Sequence, residues 1–247
     1  MPFTASHPAL LYPLRKFEKR SFIWTLLIMG SLSPDMEYFI WLSSASYISH
    51  TKIGIFLFDL PVTFLLAFAW SGFMKEILQE KIPFLANNNL TESGTFSDQL
   101  KKHWFASIIA AFVGIMSHLV WDSFCHSGGY MVNRIPYLQE NIILMGREVR
   151  RCYVVWYICS IIGLLIMILW TIDFKKVVKK STWKYFMKGY SFWIKVVLIG
   201  CIVAAIRIKI GLGWNIYRHL VIIAVGGFIY GLIISCYLEN RKLKLHL

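Results

Sequence analysis

The chain has 247 residues, of which 57% are hydrophobic and 16% charged, with a mean hydropathy of +0.57 and a net charge of +13. That is the composition of a membrane protein and not of a soluble domain. Its Lys and Arg residues lie in short segments between apolar runs, so the positive charge reads as membrane-helix flanks and not as a nucleic-acid module.

In chain order, six apolar runs lie near residues 22–42, 53–73, 103–124, 152–172, 191–210 and 220–238. Each approaches the roughly 20 residues a helix needs to cross the hydrocarbon core. The expected fold is therefore all-α, a polytopic membrane protein with five to six transmembrane helices. Some 21 residues precede the first run, with no small-residue cleavage site after it, so the N-terminus is expected to belong to the mature protein.

The first run, FIWTLLIMGSLSPDMEYFIWL, carries Ser33, Pro34, Asp35 and Glu37 near its middle. Pro34 withholds a backbone donor and disfavours helix at the residue before it, so a break is expected at Ser33-Pro34. A carboxylate at that depth costs several kcal/mol unless it has a partner or faces a cavity. Asp59, in FLFDLPV, reads as a cap before Pro61, a partner of a ligating histidine, or a base.

The third run ends in SHLVWDSFCH, which sets His118, Asp122 and His126 at steps of four on one helical face. Imidazole and carboxylate are ligands of zinc and of other divalent transition metals. On a continuous helix His118 and His126 would be ~12 Å apart, too far to share one ion. Either the helix stops near Cys125, which the following SGG (127–129) permits, or His126 serves another metal or the substrate.

Further along, residues 86–98 read as a loop and 132–151 as a structured excursion with short helical pieces, on the strength of Pro136 and Gly146. Residues 173–190, with paired lysines between apolar residues, fit either an interfacial amphipathic helix or a positive loop. The five cysteines have no C-x-x-C spacing and read as buried thiols. His103, His219 and His246 read as membrane-boundary histidines, and Arg207 and Asn215 as interfacial or snorkelling groups.

With both termini inside, Lys and Arg divide 17 to 8 in favour of the inner segments. His50, before the second span, and His118, Asp122 and His126, at the end of the third, then fall at the same membrane face. His7 falls on the opposite side if 22–42 crosses fully. A re-entrant first segment would bring it back, but would reduce the charge bias to 13 to 12.

The motifs MPFTASHPALLYPL, GSLSPDMEYF, SHTKIGIFLFDLP and HLVWDSFCHSGG, followed by RIPYLQ, resemble the bacterial membrane-protein family known as domain of unknown function 4184. The likeness covers about residues 1–172, within a single membrane domain (1–247) whose residues 173–247 read as a C-terminal helix pair. Cys125 stands where the pattern has Thr, and WYICS (156–160) where it often has QHGSS.

That family in turn is similar to membrane-bound metal-dependent hydrolases and, distantly, to the zinc-dependent phospholipase C fold. The resemblance implies a bacterial plasma-membrane protein with metal ligands His7, Asp35, His50, His118, Asp122 and His126. It also implies a divalent metal, zinc by its ligand set, and hydrolysis of an ester or phosphoester, lipid-linked if the site faces the bilayer. Asp59 or Glu37 would serve as base. The competing reading is a non-enzymatic scaffold or transport-related protein whose His/Asp network tethers helices or conducts ions.

Overall fold

A computed structural model describes residues 3–19, 21–85, 94–177, 179–211 and 216–245. Residues 86–93 of the expected loop, Asn215 and His246 lie outside the described residues. The first apolar run forms α1 (Ser21–Leu32), a 3-10 turn at Ser33–Asp35, and α2 (Met36–Trp41), so the break falls where Pro34 requires it.

Among the described residues, five helices are long and apolar enough to cross a membrane: α3 (Ile55–Lys81), α5 (Trp104–Cys125), α6 (Arg151–Thr171), α8 (Tyr190–Ile210), and α9 (Ile216–Leu245) over His219–Leu245. The protein is an all-α polytopic membrane protein. Apolar side chains such as Leu57, Phe105, Leu165 and Ile202 stand exposed along these helices, as lipid contact requires. Before α5, the short helix α4 (Phe96–Lys102) starts at a capping box in which Thr95 and Asp98 bond each other's backbone amides.

The chain forms two compact units. The first comprises residues 1–34, 50–64 and 90–171. Here α1 crosses α5 with almost no space between backbones: a Cβ on Gly30 would lie 2.5 Å from the Ala111 carbonyl, and one on Gly114 would lie 2.3 Å from that of Leu27. Small residues at such crossings let membrane helices pack backbone to backbone. Between α5 and α6, two helical turns (Tyr130–Arg134 and Pro136–Gln139) seat Val132 and Leu138 on Cys152. A β-hairpin, β1 (Asn141–Leu144) with β2 (Arg147–Arg150), follows them. The helical turns agree with the surface excursion expected there; the hairpin was not foreseen.

The N-terminus is the main departure from the sequence reading. Residues Thr4–Lys19 form a 3-10 helix packed along α1, α5 and α6. At ~2 Å rise per residue this segment spans about 30 Å, enough to traverse the membrane core. Its start lies by Ser160, whose hydroxyl accepts the Phe3 amide at 3.1 Å, and Tyr12 reaches Trp170 further along α6. At the far end Phe22, the second residue of α1, stacks on His103 at the start of α5. His7 and the cations Arg15, Lys16 and Lys19 therefore sit towards opposite ends of one helix. The conflict between placing His7 in the site and keeping the N-terminal cations inside came from treating residues 1–21 as one block.

The second unit comprises residues 35–49, 65–89 and 172–247. Ile77 and Leu78 of α3 pack with Phe192 and Val196 of α8 and Cys236 of α9, and Lys195 donates to Glu239 across α8 and α9 at 2.6 Å. Arg207 donates to the Leu42 carbonyl, and His219 is buried with Nε2 3.1 Å from the Ser44 hydroxyl. Both stand at the ends of candidate spans, as the sequence suggested, and both in addition bond to residues at the end of α2. Residues 173–190 include the helix α7 (Lys180–Lys188).

Two outcomes test this fold. In a background without native cysteines, Ala5→Cys and Gly128→Cys should label from one side of the membrane and Lys19→Cys from the other; labelling of positions 5 and 19 from the same side would contradict the 3-10 span. Gly114→Ala should destabilise the detergent-solubilised protein by about 1–3 kcal/mol through overpacking. Gly72→Ala, where an added Cβ meets nothing within 4 Å, should leave its melting temperature unchanged or slightly raised.

Candidate metal centre

The site begins with the α1–α5 crossing. Because Gly30 and Gly114 let the helices touch, the Ser31 carbonyl reaches His118 and lies 2.8 Å from its Nδ1. A carbonyl only accepts, so Nδ1 carries the proton and Nε2 is left as the basic nitrogen. That Nε2 faces Asp122 Oδ2 at 3.5 Å, one helical turn on.

Asp122 is the hub. Its Oδ2 lies 3.5 Å from His50 Nε2 and 3.2 Å from His126 Nε2, and its Oδ1 lies 3.6 Å from His7 Nε2. The His7 and His118 rings stack 3.7 Å apart at 13°, with Trp121 edge-on to His7 and His50 edge-on to His118. His126 joins the others because α5 ends at Cys125 and His126 takes an extended conformation. Gly129 then closes the turn, its amide on the His126 carbonyl at 2.8 Å; a Cβ there would meet the Ser123 carbonyl at 2.3 Å.

Asp35, last residue of the Ser33–Asp35 turn, is the remaining candidate. Asp35, His50, His118 and Asp122 each offer one ligand atom, and these atoms all lie within 4.8 Å of one another. His7, Asp35, His118 and Asp122 are buried, whereas the side chains of His50 and His126 are 23% and 35% exposed. Among these six residues, His50 and His126 are the ones that solvent reaches most.

The separations bear on what the cluster can hold. A charge-assisted N–H···O bond is about 2.7–2.9 Å long, shorter than most of these contacts. Ligand atoms at about 2.0–2.1 Å from a tetrahedral ion stand about 3.3–3.4 Å apart. Asp122 Oδ2 lies 3.5 Å from Nε2 of both His50 and His118, close to that spacing, and the ligand atoms of the whole group of four lie within 4.8 Å of one another. In His118 a basic nitrogen faces a carboxylate oxygen, an opposition that a cation between them relieves. The donor set is nitrogen and oxygen, as suits zinc and its divalent neighbours.

The two carboxylates considered as bases differ. Glu37 is buried and saturated: Oε1 accepts the amides of Tyr47 and Ile48 at 2.8 and 3.2 Å, and Oε2 accepts the Ser49 amide and the Ser46 hydroxyl at 2.7 and 2.8 Å. This holds the segment directly before His50, whose backbone is left-handed at φ 65°. Asp59 is buried at the end of the turn Ile55–Asp59, its carbonyl 2.7 Å from the Thr63 hydroxyl, which is also 2.9 Å from that of Ser33. Neither belongs to the four-residue group around Asp122.

The sequence reading missed the Ser31 carbonyl, being backbone, and the extent of the Glu37 cage. The legible signal for the first was a glycine in each of two apolar runs.

Among known proteins, the family model described as "Domain of unknown function (DUF4184)" matches residues 1–237. No curated protein and no solved structure gives a significant match. The match extends past the 1–172 expected from the motifs and takes in most of the C-terminal helices. The chain belongs to the family of domain of unknown function 4184.

Proposed function

We propose that this protein is a membrane-embedded metalloenzyme of the bacterial plasma membrane, which hydrolyses an ester or phosphoester at the Asp122 cluster. The observation that carries the reading is the ring of four imidazole Nε2 atoms 3.2–3.6 Å from one buried carboxylate. His50, His118, Asp122 and Asp35 would hold a divalent ion, with zinc first among candidates, and His7 and His126 would complete its surroundings. When bound, such an ion supplies a water acidified to a pKa of about 7 and polarises the scissile group.

The remaining work falls to the chain. The Ser31 carbonyl fixes the His118 tautomer, as partners of metal-bound histidines commonly do. Glu37 positions the approach to His50 and has no lone pair left for proton transfer, so Asp59 is the better candidate base. The partly exposed His50 and His126 set the direction from which a substrate enters, and a site at the end of a spanning helix suits a lipid or lipid-linked ester.

Elemental analysis of detergent-purified protein is the first test. Near-stoichiometric metal in the wild type, reduced at least about tenfold in Asp122→Ala, is expected; no metal in either, in chelator-free buffer, removes the hydrolase reading. A metal-loaded protein that releases neither phosphate nor head group from a lipid panel shifts the function to ion transport or to a structural His/Asp network. Glu37→Gln should keep the ligands but weaken metal affinity about 10–100-fold, the usual cost of losing a supporting group.

A further inference from the structure

Away from the metal cluster, the hairpin between α5 and α6 has a composition that water does not reward. Met145 and Gly146 both have positive φ, 50° and 76°, and Leu144 pairs with Arg147, so the two-residue connection is a type I′ turn. Asn, Asp or Gly normally occupies the first position of such a turn. Here it is a methionine that is 99% exposed. Its neighbours Ile143 and Leu144 are 81% and 46% exposed. Ile143 and Leu144 point to opposite faces of the hairpin, so the tip is apolar on both sides and at its apex.

The base of the hairpin is different. Arg147 and Arg150 alternate between its two faces. The Arg134 guanidinium lies over the exposed Tyr130 ring at 4.5 Å, and that of Arg151 over the exposed Tyr137 ring at 3.9 Å. Two acids share the segment: Glu148 is bonded by Asn141 and Glu140 by Arg151, leaving residues 130–151 with four arginines against two carboxylates. An apolar point above a collar of Arg and Tyr follows the order of a lipid leaflet, acyl chains within and phosphates and aromatic belt at the boundary.

Continuity with the membrane supports the same occupant. The hairpin lies between two spanning helices, and the amide of Arg151, first residue of α6, donates to the Glu140 carbonyl at 3.0 Å. Four-residue strands reach only ~13 Å, so the tip stays within leaflet range of the point where α6 starts.

We propose that the Asn141–Arg150 hairpin is a membrane finger: Ile143, Leu144 and Met145 insert among lipid acyl chains, and Arg134, Arg147 and Arg150 hold lipid phosphates around them. This surface stands independently of the metal reading.

The test is spin-label accessibility at Met145→Cys, in a Cys159→Ser/Cys201→Ser background reconstituted into phospholipid nanodiscs, with Ser97→Cys as the water-exposed reference. The expected result is an oxygen to nickel-chelate collision ratio several-fold higher at position 145 than at 97, falling in Arg147→Glu/Arg150→Glu. A label at 145 as open to the nickel chelate as that at 97 would overturn the proposal. So would a label shielded from both reagents, which would mean that protein and not lipid covers the tip.

Discussion

The hydrogen bond from His118 to the Ser31 carbonyl is the constraint on which the rest of the candidate site depends. It is buried, it joins two helices far apart in sequence, and it exists only because Gly30 and Gly114 let α1 and α5 meet backbone to backbone. A side chain larger than hydrogen at either position would separate the helices and free the imidazole to rotate. With the bond made, Nε2 is aimed at Asp122, and the stripe His118-Asp122-His126 becomes a fixed donor array.

The polar groups around this bond are managed locally. Ser31 and Ser33 return their hydroxyls to carbonyls of their own helix, at Ile28 and Gly30. Glu37 is tied up by the segment that leads to His50, and the N-terminal 3-10 helix delivers His7 beside His118. The apolar setting makes each unmet polar group expensive, which is why so many short local bonds surround the cluster. What stays accessible is the edge formed by His50 and His126.

Much of this was legible in the residues themselves. The steps of four in SHLVWDSFCH, the stop before His126 and the break at Ser33-Pro34 follow from helical periodicity and from proline and glycine chemistry, all local rules. His50 was placed by the antiparallel order of successive spans. Whether His7 joins the site was left open by the sequence, because hydropathy does not distinguish a 3-10 segment packed alongside a span from a terminal tail, and Pro8 and Pro13 gave no reason to expect a regular helix there. The hairpin escaped because its turn lacks the usual Asn-Gly signal, Met145 standing where Asn is usual. The roles of Arg207 and His219 were set by tertiary contacts that no periodicity reports.

The central claim is that the Asp122 cluster holds a divalent ion through imidazole and carboxylate. X-ray absorption spectroscopy of the metal-loaded, detergent-purified protein tests it most directly. The account predicts a nitrogen and oxygen shell at about 2.0–2.1 Å with the outer-shell scattering of several imidazoles. A sulfur shell at about 2.3 Å, which would implicate a cysteine such as Cys125, or an oxygen-only shell without imidazole, would contradict it.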